Sequence, residues 1–150
     1  RWAFNGNNLV PDTMPDALIS LTGNATATPI TTINTPVKVV GTFVCERESH
    51  FSCDTTGRAT YLAERSVASP VDVIASISSA SGSPDATLYV AINGVVVPST
   101  GQVTVTSSKP RSISTMWQHT FVTGDYVEMF IENNSGTQDM IALNAMVRVN

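Results

Sequence analysis

Apolar and polar residues alternate with a period of two along much of the chain, and the longer period of an amphipathic helix is hard to find anywhere. In Val71-Asp72-Val73-Ile74-Ala75-Ser76-Ile77-Ser78 the odd positions are Val, Val, Ala and Ile, the pattern of a strand with one face on a core. The C-terminal run repeats it, with Ile141, Leu143, Ala145, Val147 and Val149 on one face and Ala142, Asn144, Met146 and Arg148 on the other. Val127, Met129 and Ile131 alternate with Tyr126, Glu128, Phe130 and Glu132; both faces carry apolar bulk, so this strand is expected to be covered on both sides. Asn93-Gly94, between two apolar runs, is the strongest hairpin signal, because a type I′ turn needs positive φ at both central positions. Turns are also expected at Thr55-Thr56-Gly57, Ser81-Gly82-Ser83-Pro84, Thr123-Gly124-Asp125 and Asn133-Asn134-Ser135-Gly136. The pattern predicts strands over 17–21, 36–44, 49–53, 58–64, 70–78, 86–92, 95–98, 102–107, 112–121, 125–132 and 139–149. About ten short strands without helices predict an all-β sandwich or barrel of antiparallel sheets.

Residues 1–35 read differently. Trp2-Ala3-Phe4 precedes an Asn/Gly stretch, and Pro11, Pro15, Pro29 and a Thr-rich run follow, which predicts an extended arm ahead of a domain over 36–150. Trp2, Phe4, Leu9 and Val10 are the candidates for anchoring that arm, either on a neighbouring protein or on the domain's own sheet edge.

Composition narrows the function. Eight basic and 12 acidic residues make only 13% of 150 residues charged, against roughly 25% in a typical domain, while 16 Ser and 19 Thr fill the deficit. A net charge of −4 with two lysines, Lys38 and Lys109, argues against nucleic acid as a partner, because phosphates demand a basic face. No apolar run is long enough to suggest a membrane-spanning helix. Cys45 and Cys53, eight apart, suit either a disulfide closing a short loop or two separate strand thiols; without C-x-x-C spacing they give no zinc reading, and no metal or cofactor is expected.

Five segments in order carry a resemblance: the opening Thr35-Pro36-Val37-Lys38-Val39, the strand Gly57-Arg58-Ala59-Thr60-Tyr61, the run Val71 to Ser78, the hairpin run Leu88 to Gly94, and Val122-Thr123-Gly124-Asp125-Tyr126-Val127-Glu128. Together they resemble the jelly roll of the tumour-necrosis-factor and complement globular-head superfamily. More closely, the stretch 35–150 is similar to domains in structural proteins of tailed bacteriophages and other viruses. The resemblance implies a ten-strand antiparallel jelly-roll sandwich that assembles as a homotrimer on the virion surface, as a capsid decoration or as part of a head or tail fibre. Apolar residues at outward positions, Tyr126, Phe130, Ala142 and Met146, are the candidate trimer interface. Such an interface buries on the order of 2,000 Å² or more. Arg148 is expected to pair with Glu128 or Glu132.

Catalytic signals are sparse. His50 and His119 have no metal-ligand spacing, and no nucleophile elbow or phosphate loop occurs, so the reading is non-enzymatic. Asp54, Asp85, Asp125 and Asp139 at loop edges are either calcium ligands or ordinary turn acceptors, the second being the usual role. Trp117 with His119 is the one aromatic-polar grouping fit to serve as a ligand platform, although alternation places Trp117 on the core face of its strand. That grouping supports the alternative function, a receptor- or glycan-binding head that attaches a virus to its host. Asn24-Ala25-Thr26 and Asn133-Asn134-Ser135 are glycosylation sequons.

Overall fold

The computed structural model describes residues 14–150 in full, together with the backbone of two short N-terminal strands, β1 (Trp2–Asn5) and β2 (Asn8–Pro11), which pair antiparallel. The anchoring side chains of Trp2, Phe4, Leu9 and Val10 lie outside the described residues. Twelve further strands follow: β3 (Asp16–Leu21), β4 (Val37–Lys38), β5 (Val44–Ser49), β6 (Phe51–Cys53), β7 (Ala59–Tyr61), β8 (Val67–Ser79), β9 (Asp85–Ile92), β10 (Val95–Val96), β11 (Gln102–Val105), β12 (Arg111–Phe121), β13 (Tyr126–Asn133) and β14 (Met140–Val149). Among the described residues no helix is long and apolar enough to cross a membrane.

Two antiparallel sheets result. One has five strands in the order β12-β8-β14-β3-β5; the other has seven, with β10-β9-β13-β7-β6 in line, β11 also on β9 and β4 also on β13. Alternation explains the sandwich. Val71, Val73, Ala75 and Ile77 of β8 and Val127, Met129 and Ile131 of β13 are all buried in one shared core, closed at one end by Phe51, Tyr61 and Phe121 with ring centroids 5.1–5.9 Å apart. The Asn93-Gly94 turn forms as its sequence requires, with φ of +54° and +76° joining Ile92 to Val95.

Several expectations are corrected. The sandwich begins at Asp16, because β3 lies between β14 and β5, so residues 16–35 belong to it and not to an arm. The strand expected over 36–44 is reduced to Val37–Lys38; beyond it Val40 N–H turns to the Thr28 hydroxyl at 3.0 Å instead of a neighbouring strand. The run 49–53 is divided by His50 at φ +58°, and the chain crosses there from the five-stranded sheet to the seven-stranded one. In β14 a bulge between Ala142 and Asn144 reverses the alternation. Before it Met140 and Ala142 point inward; after it Ala145, Val147 and Val149 do.

Asn24 holds that bulge from the side. Its amide nitrogen donates to the carbonyls of Ala142 (3.1 Å), Val40 (3.1 Å) and Thr26 (3.2 Å), while its backbone N–H reaches Leu143 O at 2.9 Å. Asn133, wholly buried, donates to Gln138 and accepts the N–H groups of Ser135 and Gly136. Both sequon asparagines are therefore structural hydrogen-bonders whose nitrogens are engaged in the folded protein.

Candidate functional site

The outer faces of the two sheets are built differently. On the seven-stranded sheet, β13 turns Tyr126, Glu128, Phe130 and Glu132 outward, and the chain itself buries the two glutamates and half-covers the two aromatic rings. Glu128 is 2% exposed; one of its oxygens receives Lys38 Nζ at 2.7 Å and Arg58 Nε at 3.0 Å. The Arg58 guanidinium carbon also sits 4.0 Å from the centroid of the Tyr126 ring. Glu132 accepts the Tyr89 hydroxyl at 3.3 Å and the Asn134 amide at 2.5 Å; burial, with that carboxylate adding, pushes the Tyr89 phenol above its ordinary range.

On the five-stranded sheet the register aligns Ser114, Ile74, Met146 and Ser20 in one row across β12, β8, β14 and β3. Met116, Asp72, Arg148 and Leu18 form the next row. Ile74 is 41% exposed, Met116 66% exposed and Met146 half-buried. They wall an open groove of about 490 Å³ together with Asp72, Ser114 and Arg148, and Ser99 and Gln102 from outside the sheet line it too. Within it Arg148 donates to a single oxygen of Asp72 through Nη2 at 2.7 Å and Nε at 3.2 Å, so the one charged pair in these two rows is internally matched.

The four residues expected to form one interface are thus separated. Met146 lies on the apolar rows. Ala142 is wholly buried, because the bulge turns it inward. Tyr126 and Phe130 are half-buried on the opposite side of the sandwich. Arg148 pairs with Asp72 on the adjacent strand instead of Glu128 or Glu132, which belong to the other sheet. Sequence reasoning missed Ile74 and Met116, although Ile74 stands at an even, outward position of the very run that defines β8.

Trp117 and His119 share one face of the edge strand β12. Trp117 remains 36% exposed, while Ile113 and Phe121 on the same face are buried. His119 Nε2 meets Asp125 at 3.2 Å, but that carboxylate is committed to its turn, accepting Val122 N–H at 3.0 Å and the Asn93 amide at 2.8 Å. Burial pulls Asp125 upward and these hydrogen bonds outweigh it, leaving the carboxyl below its ordinary range. Asp54 behaves likewise: burial is outweighed by the Thr56 hydroxyl and the N–H groups of Arg58 and Thr56. Asp139 accepts Ile30 N–H at 3.1 Å, again a turn role. Cys45 and Cys53 are free thiols brought close together.

No protein-family model matches the chain, and no curated protein sequence does either. Solved structures do. The PRD1 vertex protein P5 superimposes with a TM-score of 0.57 at 9% identity, over 95% of this chain and 74% of that one. Murine APRIL gives 0.51 at 9% identity, over 90% and 98%. Eiger TNF from S. frugiperda gives 0.48 at 10% identity, over 91% and 94%. At such identities the likeness is one of fold: the chain is a TNF-like antiparallel jelly roll, similar in fold to a vertex protein.

Proposed function

We propose that this chain is a non-enzymatic virion structural component that assembles as a homotrimer through the outer face of its five-stranded sheet. The observation that carries the reading is the pair of exposed apolar residues Ile74 and Met116, beside the half-buried Met146, on a regular, strand-built surface whose only charged pair in these rows is already neutralised. Sheets facing water usually place charged side chains at such positions. The fold likeness to a vertex protein supports the virion setting, and the jelly-roll resemblance supports three as the number of copies. The N-terminal strands β1 and β2 precede the sandwich and would anchor it to capsid, fibre or tail proteins at the particle surface.

Two experiments test this. The mass of the protein in solution, by light scattering, should be that of three chains; a single-chain mass at every concentration contradicts the assembly. Removing residues 1–13 should leave a folded trimer that no longer incorporates into particles, and retained incorporation contradicts the anchoring role.

A second reading, a host-receptor or glycan-binding head, is favoured by one feature, the partly open Trp117 beside His119. Quenching of tryptophan fluorescence across a glycan panel, lost in Trp117→Ala, would support it; no quenching by any glycan would remove it.

A further inference from the structure

The strands β5 and β6 belong to different sheets, and the corner between them turns at the left-handed His50. Folding back at this corner brings Cys45, near the start of β5, close to Cys53, at the end of β6. Glu48 completes the group. Its Oε2 accepts the Cys53 backbone N–H at 3.0 Å and lies 3.5 Å from Cys45 Sγ. The two sulfurs and a carboxylate oxygen all lie within 4.8 Å of one another. The carbonyl of Arg47 supplies a fourth donor, 3.6 Å from Cys45 Sγ and 3.8 Å from Cys53 Sγ. The guanidinium of the same residue reaches away to Asp16, 3.3 Å from its Oδ2.

These separations suit the edges of one tetrahedron. Zinc at about 2.3 Å from sulfur and about 2.1 Å from oxygen places sulfur and oxygen about 3.6 Å apart. The donor set is also selective, since a pair of thiolates favours zinc over calcium or magnesium. Two thiols and a carboxylate crowded in this way favour a cation among them.

We propose that Cys45, Glu48 and Cys53, with the Arg47 carbonyl, form a zinc-class metal site that ties β5 of one sheet to β6 of the other. The motif is Cys-x2-Glu-x4-Cys, which contains no C-x-x-C and becomes visible only once His50 turns the corner. Binding exchanges two thiol protons for one divalent cation and releases both protons to solvent, so affinity rises with pH. The site is independent of how the sandwich assembles.

The test uses the full chain, reduced and stripped of metal by a chelator, titrated with Co²⁺ and then with Zn²⁺. One Co²⁺ per chain should bind with an intense thiolate-to-cobalt absorption band, and Zn²⁺ should displace it. Glu48→Gln should weaken binding by about tenfold or more, and Cys53→Ser should weaken it at least as much, with circular dichroism unchanged in the Glu48 variant. The absence of a cobalt–thiolate band in the reduced wild type overturns the proposal. So does unaltered affinity in the Glu48 variant, or oxidation to a Cys45–Cys53 disulfide that excess Zn²⁺ does not slow.

Discussion

The outer faces of β13 and β8, interior strands of the two sheets, alternate in the same way, yet the first is covered by its own chain and the second is open. On the seven-stranded side, Glu128 and Glu132 at outward positions have drawn Lys38, Arg58, Tyr89 and Asn134 over themselves, and Tyr126 and Phe130 are half-covered. On the five-stranded side, Ile74 and Met116 are exposed and Met146 is half-buried, and the polar groups around them are hydroxyls, the Gln102 amide and one matched ion pair. A buried carboxylate recruits partners from its own chain because leaving it unpaired is costly. An exposed methionine or isoleucine has no such claim on its own chain, and its apolar surface is relieved by burial against another molecule. Outward apolar residues therefore mark an interface only where no buried charge has already gathered a cover over them.

The largest stability effect is expected on the closed face. Replacing both Lys38 and Arg58 by Met leaves Glu128 buried without a counter-charge and should cost about 3 kcal/mol or more in urea unfolding. A loss below about 1 kcal/mol would mean that this face is not held by its charges. Next comes Asn24→Ala, which strips the Ala142 and Val40 carbonyls of their donor beside the bulge that aims Met146 outward. It should cost about 2 kcal/mol, read from the same unfolding curves. Smaller still is Arg148→Met on the open face. The Arg148–Asp72 pair is partly exposed, so monomer stability should change by less than about 1 kcal/mol.

Acid should act gently and in one direction. The Asp54 and Asp125 carboxyls lie below their ordinary range in the folded protein, so their contribution is complete above the unfolded value near about 3.9 and is lost as pH falls through the lowered folded values. Thermal unfolding followed between pH 6 and pH 2, values chosen to bracket about 3.9, should show a decline confined to the acid end. Replacing either aspartate by Asn should flatten it.

Much of the fold was legible in the chain. Alternation at 71–78 and 126–132 identified the central strands and their inward residues, and Asn93-Gly94 fixed its hairpin. The interface was legible only in part, for reasons of geometry. Alternation says which residues share a face of one strand, but not which sheet the strand joins, so Tyr126 and Phe130 were grouped with Met146 from the opposite side of the sandwich. A single bulge near Leu143 reverses parity, and that sent Ala142 to the core. The cysteine cluster depended on a left-handed His50, a conformation that its neighbours in sequence do not demand. The sequons at Asn24 and Asn133 followed a three-residue pattern that carries no information about burial.

The central claim, that the open face of the five-stranded sheet is where copies of this chain meet, is tested most directly by light scattering on three proteins: wild type, Ile74→Asp and Phe130→Asp. The account predicts a three-chain mass for the wild type, a folded single chain for Ile74→Asp, and an unchanged trimer for Phe130→Asp. A trimer that survives Ile74→Asp, or one that only Phe130→Asp dissociates, would contradict it.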